Sequence, residues 1–165
     1  MKKSILKIAA LALVAVFTLG VFVACDKGQG DGDDGIFAIE CGETIVKLGG
    51  KAEGVLEALG KPISSQPTGN CGGLGESTRY EYPAFVLGVV DYEDGDVIID
   101  TIELKNDGAE TSKGIYIGSS EADVRAKYGE PDSENGRSLV YENEDMLLEF
   151  GINDGAVSSI VLRCK

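Results

Sequence analysis

Residues 46–62 and 115–131 carry one pattern twice, at an offset of 69. Gly49 meets Gly118, Val55 meets Val124, Gly60 meets Gly129 and Pro62 meets Pro131. A pattern written twice restricts the fold, because both copies must suit the same local structure. Each copy reads as a short apolar strand, a Gly, one short helix, and then Gly-x-Pro. Ser119 or Ser120 can accept a hydrogen bond from the first free N–H groups of the second helix. Glu121 and Arg125 stand four apart, in the favourable order for an ion pair. Val124 and Tyr128 share one helical face, as do Val55, Leu56 and Leu59. Gly60 and Gly129 can take the left-handed conformation that closes a helix, and the Pro two residues on prevents its continuation.

Beyond each helix the chain reads as strand. In the second copy, residues 137–142 carry Leu139 and Tyr141 in alternation. Met146, Leu148, Phe150 and Ile152 then alternate with Leu147, Glu149 and Gly151. Asp154-Gly155 predicts a tight hairpin, and the next strand ends in Ile160-Val161-Leu162. In the first copy, residues 79–82 and 85–90 precede a turn at Asp94-Gly95 and a strand over 97–104. There Ile102-Glu103-Leu104 answers Ile160-Val161-Leu162. The expected fold class is α+β: two tandem repeats, residues 36–108 and 109–165, each a short helix packed on a three- to four-stranded antiparallel sheet. Units this small are marginal alone and are expected to pack together.

The order of Gly, polar turn, Val-centred helix, Gly-x-Pro, Tyr-rich strand, apolar strand and Ile-x-Leu strand resembles the repeat of β-lactamase inhibitory protein. It is also similar to the unit of the small outer-membrane lipoproteins called SmpA, OmlA or BamE. The residues that carry the resemblance are Gly118, Val124, Gly129, Pro131, Tyr141, Phe150 and Ile160, with their counterparts in the first copy. It covers residues 43–163. The resemblance implies helices on one side of a sheet whose other, concave face is free. In the inhibitory protein that face binds an enzyme. No inhibitory loop carries over residue by residue, and fold alone does not give function.

The N-terminus reads as an address. Lys2, Lys3 and Lys7 precede an apolar run over residues 8–24, and the chain turns polar directly after Cys25. That order is the order of a secretory signal. The segment resembles a bacterial lipoprotein signal with its lipobox, which implies cleavage after residue 24 and lipid on Cys25. Several acyl chains make such an anchor effectively stable. Residues 25–35 are then the lipidated Cys and a Gly/Asp tether with too little apolar surface to order itself. Asp26 resembles an inner-membrane retention signal of enteric bacteria.

The whole chain has 15 basic and 28 acidic side chains, no His, and a net charge of −13. Beyond residue 24 the balance is 12 basic to 28 acidic. Such an acidic chain is a poor partner for nucleic acid or for an anionic membrane surface. Without His there is no Ser-His-Asp triad, Cys-His dyad or HExxH zinc site. Neither a catalytic residue, a cofactor site nor a metal site is assigned. In an oxidising compartment disulfides persist, so Cys41–Cys71 is expected to staple a Gly-rich loop to the start of the domain. Cys164 is then free, with Cys41–Cys164 and Cys71–Cys164 as the other pairings.

The loop over residues 69–75 lacks the Lys-Ser/Thr that a phosphate loop needs. It reads as a turn. The acidic clusters Glu142, Glu144 and Asp145, and Asp91, Glu93, Asp94 and Asp96, read as solvated turns. Tyr80, Tyr82, Tyr92 and Tyr141 fall on or beside predicted strands. Standing on the free sheet face they would make a platform for a protein partner; facing the helices they would be core. A one-residue register change inverts the choice. The functional expectation is a lipid-anchored extracytoplasmic binding module, held to the membrane through Cys25 and engaging a protein partner. The alternative is a structural or assembly lipoprotein of the cell envelope. An enzyme is not expected.

Overall fold

Met146, Leu148 and Phe150 alternate with Leu147, Glu149 and Gly151, so an extended chain puts one apolar row on a single face. The same alternation runs through Phe85, Leu87 and Val89. The computed structural model, which describes residues 35–69, 75–93 and 95–165, builds both stretches into the middle of one sheet. The signal segment, Cys25, the tether up to residue 34, Cys71 and Asp94 lie outside the described residues.

The chain opens with β1 (Ala38–Cys41) and β2 (Thr44–Lys47), and then α1 (Glu53–Leu59). Next come β3 (Ser64–Gly69), β4 (Gly75–Glu81), β5 (Phe85–Tyr92) and β6 (Val97–Leu104). A short β7 (Glu110–Thr111) leads into α2 (Glu121–Tyr128). The chain ends with β8 (Ser133–Asn135), β9 (Ser138–Glu142), β10 (Met146–Asn153) and β11 (Ala156–Cys164). β2, β1 and β7 make a small sheet in that order. The other strands form one eight-stranded antiparallel sheet, in the order β3-β4-β5-β6-β11-β10-β9-β8.

This corrects the expected fold class. The strands do not form two repeats, each with a helix on its own three- or four-stranded sheet. They form one continuous sheet, mostly strand, with two short helices. The physical reason is the pairing of β6 with β11. Ile160 lies opposite Leu104 and Leu162 opposite Ile102, so the two Ile-x-Leu motifs bond directly to each other. That pairing leaves no free edge at the centre of the molecule. A small three-stranded sheet, β2-β1-β7, also forms; its β2 overlaps the short strand expected from residue 46, whereas the expected counterpart at 115–117 is not a strand.

The sequence pattern at offset 69 does have a local counterpart. In the first half, Gly49 N–H donates to the Ile99 carbonyl at 2.7 Å, Ile99 N–H to Gly50 at 2.9 Å and Ala52 N–H to Val97 at 2.8 Å. In the second half, Gly118 N–H donates to Val157 at 2.8 Å, Val157 N–H to Ser119 at 2.8 Å and Glu121 N–H to Gly155 at 3.0 Å. The approach to each helix is thus hydrogen-bonded to the start of β6, or to β11 and its turn. Gly49 and Gly118 have φ of 71° and 108°, which suits Gly at this bend.

α2 carries a capping box: the Ser120 hydroxyl accepts from Asp123 N–H at 3.1 Å, and the Asp123 carboxylate accepts from Ser120 N–H at 3.2 Å. Arg125 reaches Glu121 at 2.9 Å, as its spacing predicts. α1 has Ala52 at its N-terminus and no side-chain cap. Asp154 and Gly155, with φ of 52° and 76°, close the β10–β11 hairpin in the manner of a type I′ turn.

Phe37, Ile39, Val46, Leu48 and Val124 meet Phe85, Leu87, Ile99, Ile102, Leu148, Phe150, Ile160 and Leu162 in one core. Each such large apolar side chain contributes about 1.5–3 kcal/mol on burial. The small sheet and the helices therefore cover one face of the large sheet. The sheet ends in β3, which contains Pro67, and in β8, only three residues long.

Candidate functional site

Tyr82 and Tyr141 point into the core and are 4% exposed. The Tyr141 hydroxyl donates to the Gly129 carbonyl at 2.9 Å, and the Tyr82 hydroxyl to Gly60 at 3.5 Å. Tyr80 lies opposite Leu87 on the covered face and is half-buried against the core. Tyr92 is half-exposed at the end of β5. The expected platform of Tyr80, Tyr82, Tyr92 and Tyr141 is corrected accordingly: the register turns Tyr80, Tyr82 and Tyr141 toward the helix side. Tyr141 also packs edge-on against Phe150, with ring centroids 5.9 Å apart.

The opposite face of the large sheet is covered by none of the described elements. It presents Arg79 and Glu81 from β4, Val86 and Gly88 from β5, and Thr101 and Glu103 from β6. Beyond the β6–β11 seam it continues through Val161, Arg163 and Glu149. Its charged side chains pair in rows across the strands. Lys105 donates to Glu81 at 2.5 Å, Ser64 to Glu81 at 3.1 Å, Arg79 to Glu103 at 3.4 Å and Ser138 to Glu149 at 2.6 Å. The Lys105 and Ser64 hydrogen bonds hold the Glu81 carboxyl below its ordinary range. Val86 stays 4% exposed among the long polar side chains.

The face is hollowed where Gly88 lacks a side chain. A depression of about 270 Å³ opens there, lined among others by Ser77, Arg79, Gly88, Asp100, Thr101 and Glu103. A Cβ on Gly88 would stand 2.7 Å from Asp100 Oδ1 and 3.1 Å from Thr101 Cβ. Asp100 is the extra residue of a β-bulge: Gly88 pairs with Thr101, Val89 pairs with Ile99, and Asp100 has no partner strand residue. Burial raises the Asp100 carboxyl above its usual range, against hydrogen bonds from its own backbone and from Thr101. No ion pair reaches it among the described residues.

Sequence patterning does not disclose this site. The stretch Ile98-Ile99-Asp100-Thr101-Ile102 does not reveal which residue is the bulge. A glycine in mid-strand was the available signal, since it marks a bulge or a close approach.

The remaining candidates stand apart from this face. Cys41 and Cys164 are free thiols, which corrects the expected Cys41–Cys71 bridge and leaves no alternative pairing with Cys164; Cys41 instead lines an apolar groove with Leu59, Tyr82 and Phe85. Burial raises the Cys164 thiol above its ordinary range, and the Asp100 and Asp145 charges add to the effect. Asp96 pairs with Lys51 at 2.8 Å and Glu142 with Lys165 at 2.7 Å, so these acidic turns serve surface ion pairs. No group of three or more Cys, Asp or Glu that could hold a metal occurs among the described residues.

No family model matches this chain. No curated protein matches it either. It is similar to the crystal structure of a DUF4309 family protein (YjgB) from Bacillus subtilis, at 16% identity and a TM-score of 0.38, over 70% of this chain and 78% of that one. So distant a likeness says nothing about activity. None of these comparisons supports the resemblance to β-lactamase inhibitory protein or to the SmpA, OmlA and BamE lipoproteins.

Proposed function

We propose that this chain is a lipid-anchored extracytoplasmic binding module that engages a protein partner through the uncovered face of its eight-stranded sheet. The N-terminal resemblance to a lipoprotein signal supports the anchor at Cys25. The observation that carries the binding reading is the face itself. Eight strands present it, no described element packs on it, and it combines paired charges, a few half-buried apolar residues and one depression. Interfaces of non-obligate partners have this mixed polar character.

The test is position-resolved photo-crosslinking of the full-length chain in the cells that make it. The photoreactive residue is placed at Gln66 or Val161 on the open face, and at Glu57 or Ala126 on the outer surface of the helices. One protein adduct from Gln66 and Val161, saturable and absent from Glu57 and Ala126, is the expected result. The same adduct from all four positions, or none from the open face, overturns the reading. An adduct with envelope-assembly proteins would replace it with a structural role.

A further inference from the structure

In both halves a mid-strand glycine faces a bulge in the next strand: Gly88 on β5 faces β6, and Gly151 on β10 faces β11. Neither glycine has a positive φ, so backbone strain does not require Gly at either place. The room left by the missing side chain is the feature they share. The bulge residue of β11 is Ser158, whose hydroxyl donates to the Gly151 carbonyl at 3.1 Å. The bulge residue of β6 is Asp100. A serine is enough to close this bend, so the carboxylate brings a charge that the bend does not need.

No ion pair neutralises that charge among the described residues, although Arg163 stands opposite Thr101 on the same face. Glu103 already holds Arg79 at 3.4 Å, while Asp100 forms no ion pair among the described residues. The depression thus holds two carboxylates against one guanidinium and carries one net negative charge. Its volume of about 270 Å³ admits the end of one long side chain. The region from residue 36 onward has 24 acidic and 11 basic side chains, so the long-range field also favours a basic partner.

Resting on the binding reading above, we propose that Asp100 receives one basic side chain, a lysine or an arginine, presented by the protein partner. Gly88 supplies the space and Thr101 a hydroxyl beside the incoming cation. The bond is a charge-assisted hydrogen bond to a carboxylate that is partly withdrawn from water, where such bonds are stronger than at an exposed site.

The experiment uses the full-length chain in lipid nanodiscs and two blocked pentapeptide probes, Thr-Val-Lys-Val-Thr and Thr-Val-Gln-Val-Thr, with binding measured by surface plasmon resonance. The lysine peptide should bind about tenfold more tightly than the glutamine peptide. Both D100N and D100S should abolish that preference, and D100S copies the residue that the other half uses in the same bend. Unchanged thermal midpoints show that neither variant acts through misfolding. A lysine preference that survives in D100N and D100S, or that is missing in the native chain, overturns the assignment. If the lysine preference fails while the adducts at Gln66 and Val161 persist, the binding face stands and only the role of Asp100 falls. If those adducts are lost, or prove to be a second copy of this chain, the basic-partner proposal falls with them.

Discussion

The Tyr141 hydroxyl donates to the Gly129 carbonyl at 2.9 Å, tying the middle of a strand to the glycine that ends α2. Tyr82 makes the same kind of contact to Gly60 at the end of α1, at 3.5 Å. Tyr141→Phe leaves the Gly129 carbonyl without its donor in a part-buried setting and should cost about 1–2 kcal/mol. Tyr82→Phe should cost less, because its bond is longer. Urea unfolding of the two variants checks the order, and a larger loss for Tyr82→Phe would contradict the geometry.

Gly60 and Gly129 end their helices with φ of 71° and 85° and ψ of −154° and −160°. This is not the left-handed helical region that the sequence suggested but a region essentially restricted to Gly. An added Cβ would meet nothing within 4 Å at either place. Alanine at either position should therefore cost about 1–3 kcal/mol through backbone strain alone. Thermal unfolding measures the loss, and crystal structures of the variants should show no displaced neighbour.

The capping box of α2 should shape the acid limb of stability. Hydrogen bonds from the Ser120 side chain and backbone hold the Asp123 carboxyl below its ordinary value of 3.8. A depressed carboxyl stabilises the folded state above its unfolded pKa and loses that effect as pH falls through the folded one. Ser120→Ala should cost about 1 kcal/mol near neutral pH. The deficit should shrink below pH 3.8, where protonation of Asp123 weakens the bond that the Ser120 hydroxyl donates to its carboxylate at 2.6 Å. Unfolding midpoints across an acid series test this, and a deficit independent of pH would refute it.

Tyr128 should govern the alkaline limb. Burial pushes its phenol up to about 12 from an ordinary 10.0. The ring packs against Tyr141 and Phe150, each at 5.2 Å between centroids, with Lys113 Nζ 4.6 Å from its centroid. Because the folded pKa lies above the unfolded one, this contribution is complete below pH 10 and is lost as pH rises towards 12. Phenolate absorbance should show one step near the upper end of that window. Tyr128→Phe should remove the step and flatten the alkaline fall in stability.

α2 was legible in the sequence almost residue by residue. Ser120, Val124, Arg125 and Gly129 each act within a few residues of their partners, and local chemistry suffices to read them. The β10–β11 hairpin was legible for the same reason. The joining of the halves was not, because β6 and β11 meet across more than fifty residues and their motifs look alike whether or not they touch. The facing of Tyr82 and Tyr141 was out of reach because it depends on register. Asp100 was hidden by its bulge, which shifts the alternation by one position and leaves no mark in composition.

Pro67 lies in the β3 edge, where it offers no N–H to an incoming strand, and the β8 edge is three residues long. Under the lipid anchoring proposed above, a chain held on a surface would meet its own copies at high local density, where a bare sheet edge would recruit the next copy and grow into a ribbon. With one edge blocked and the other too short to template, neighbouring copies can crowd together and still remain separate molecules, each with its broad face available.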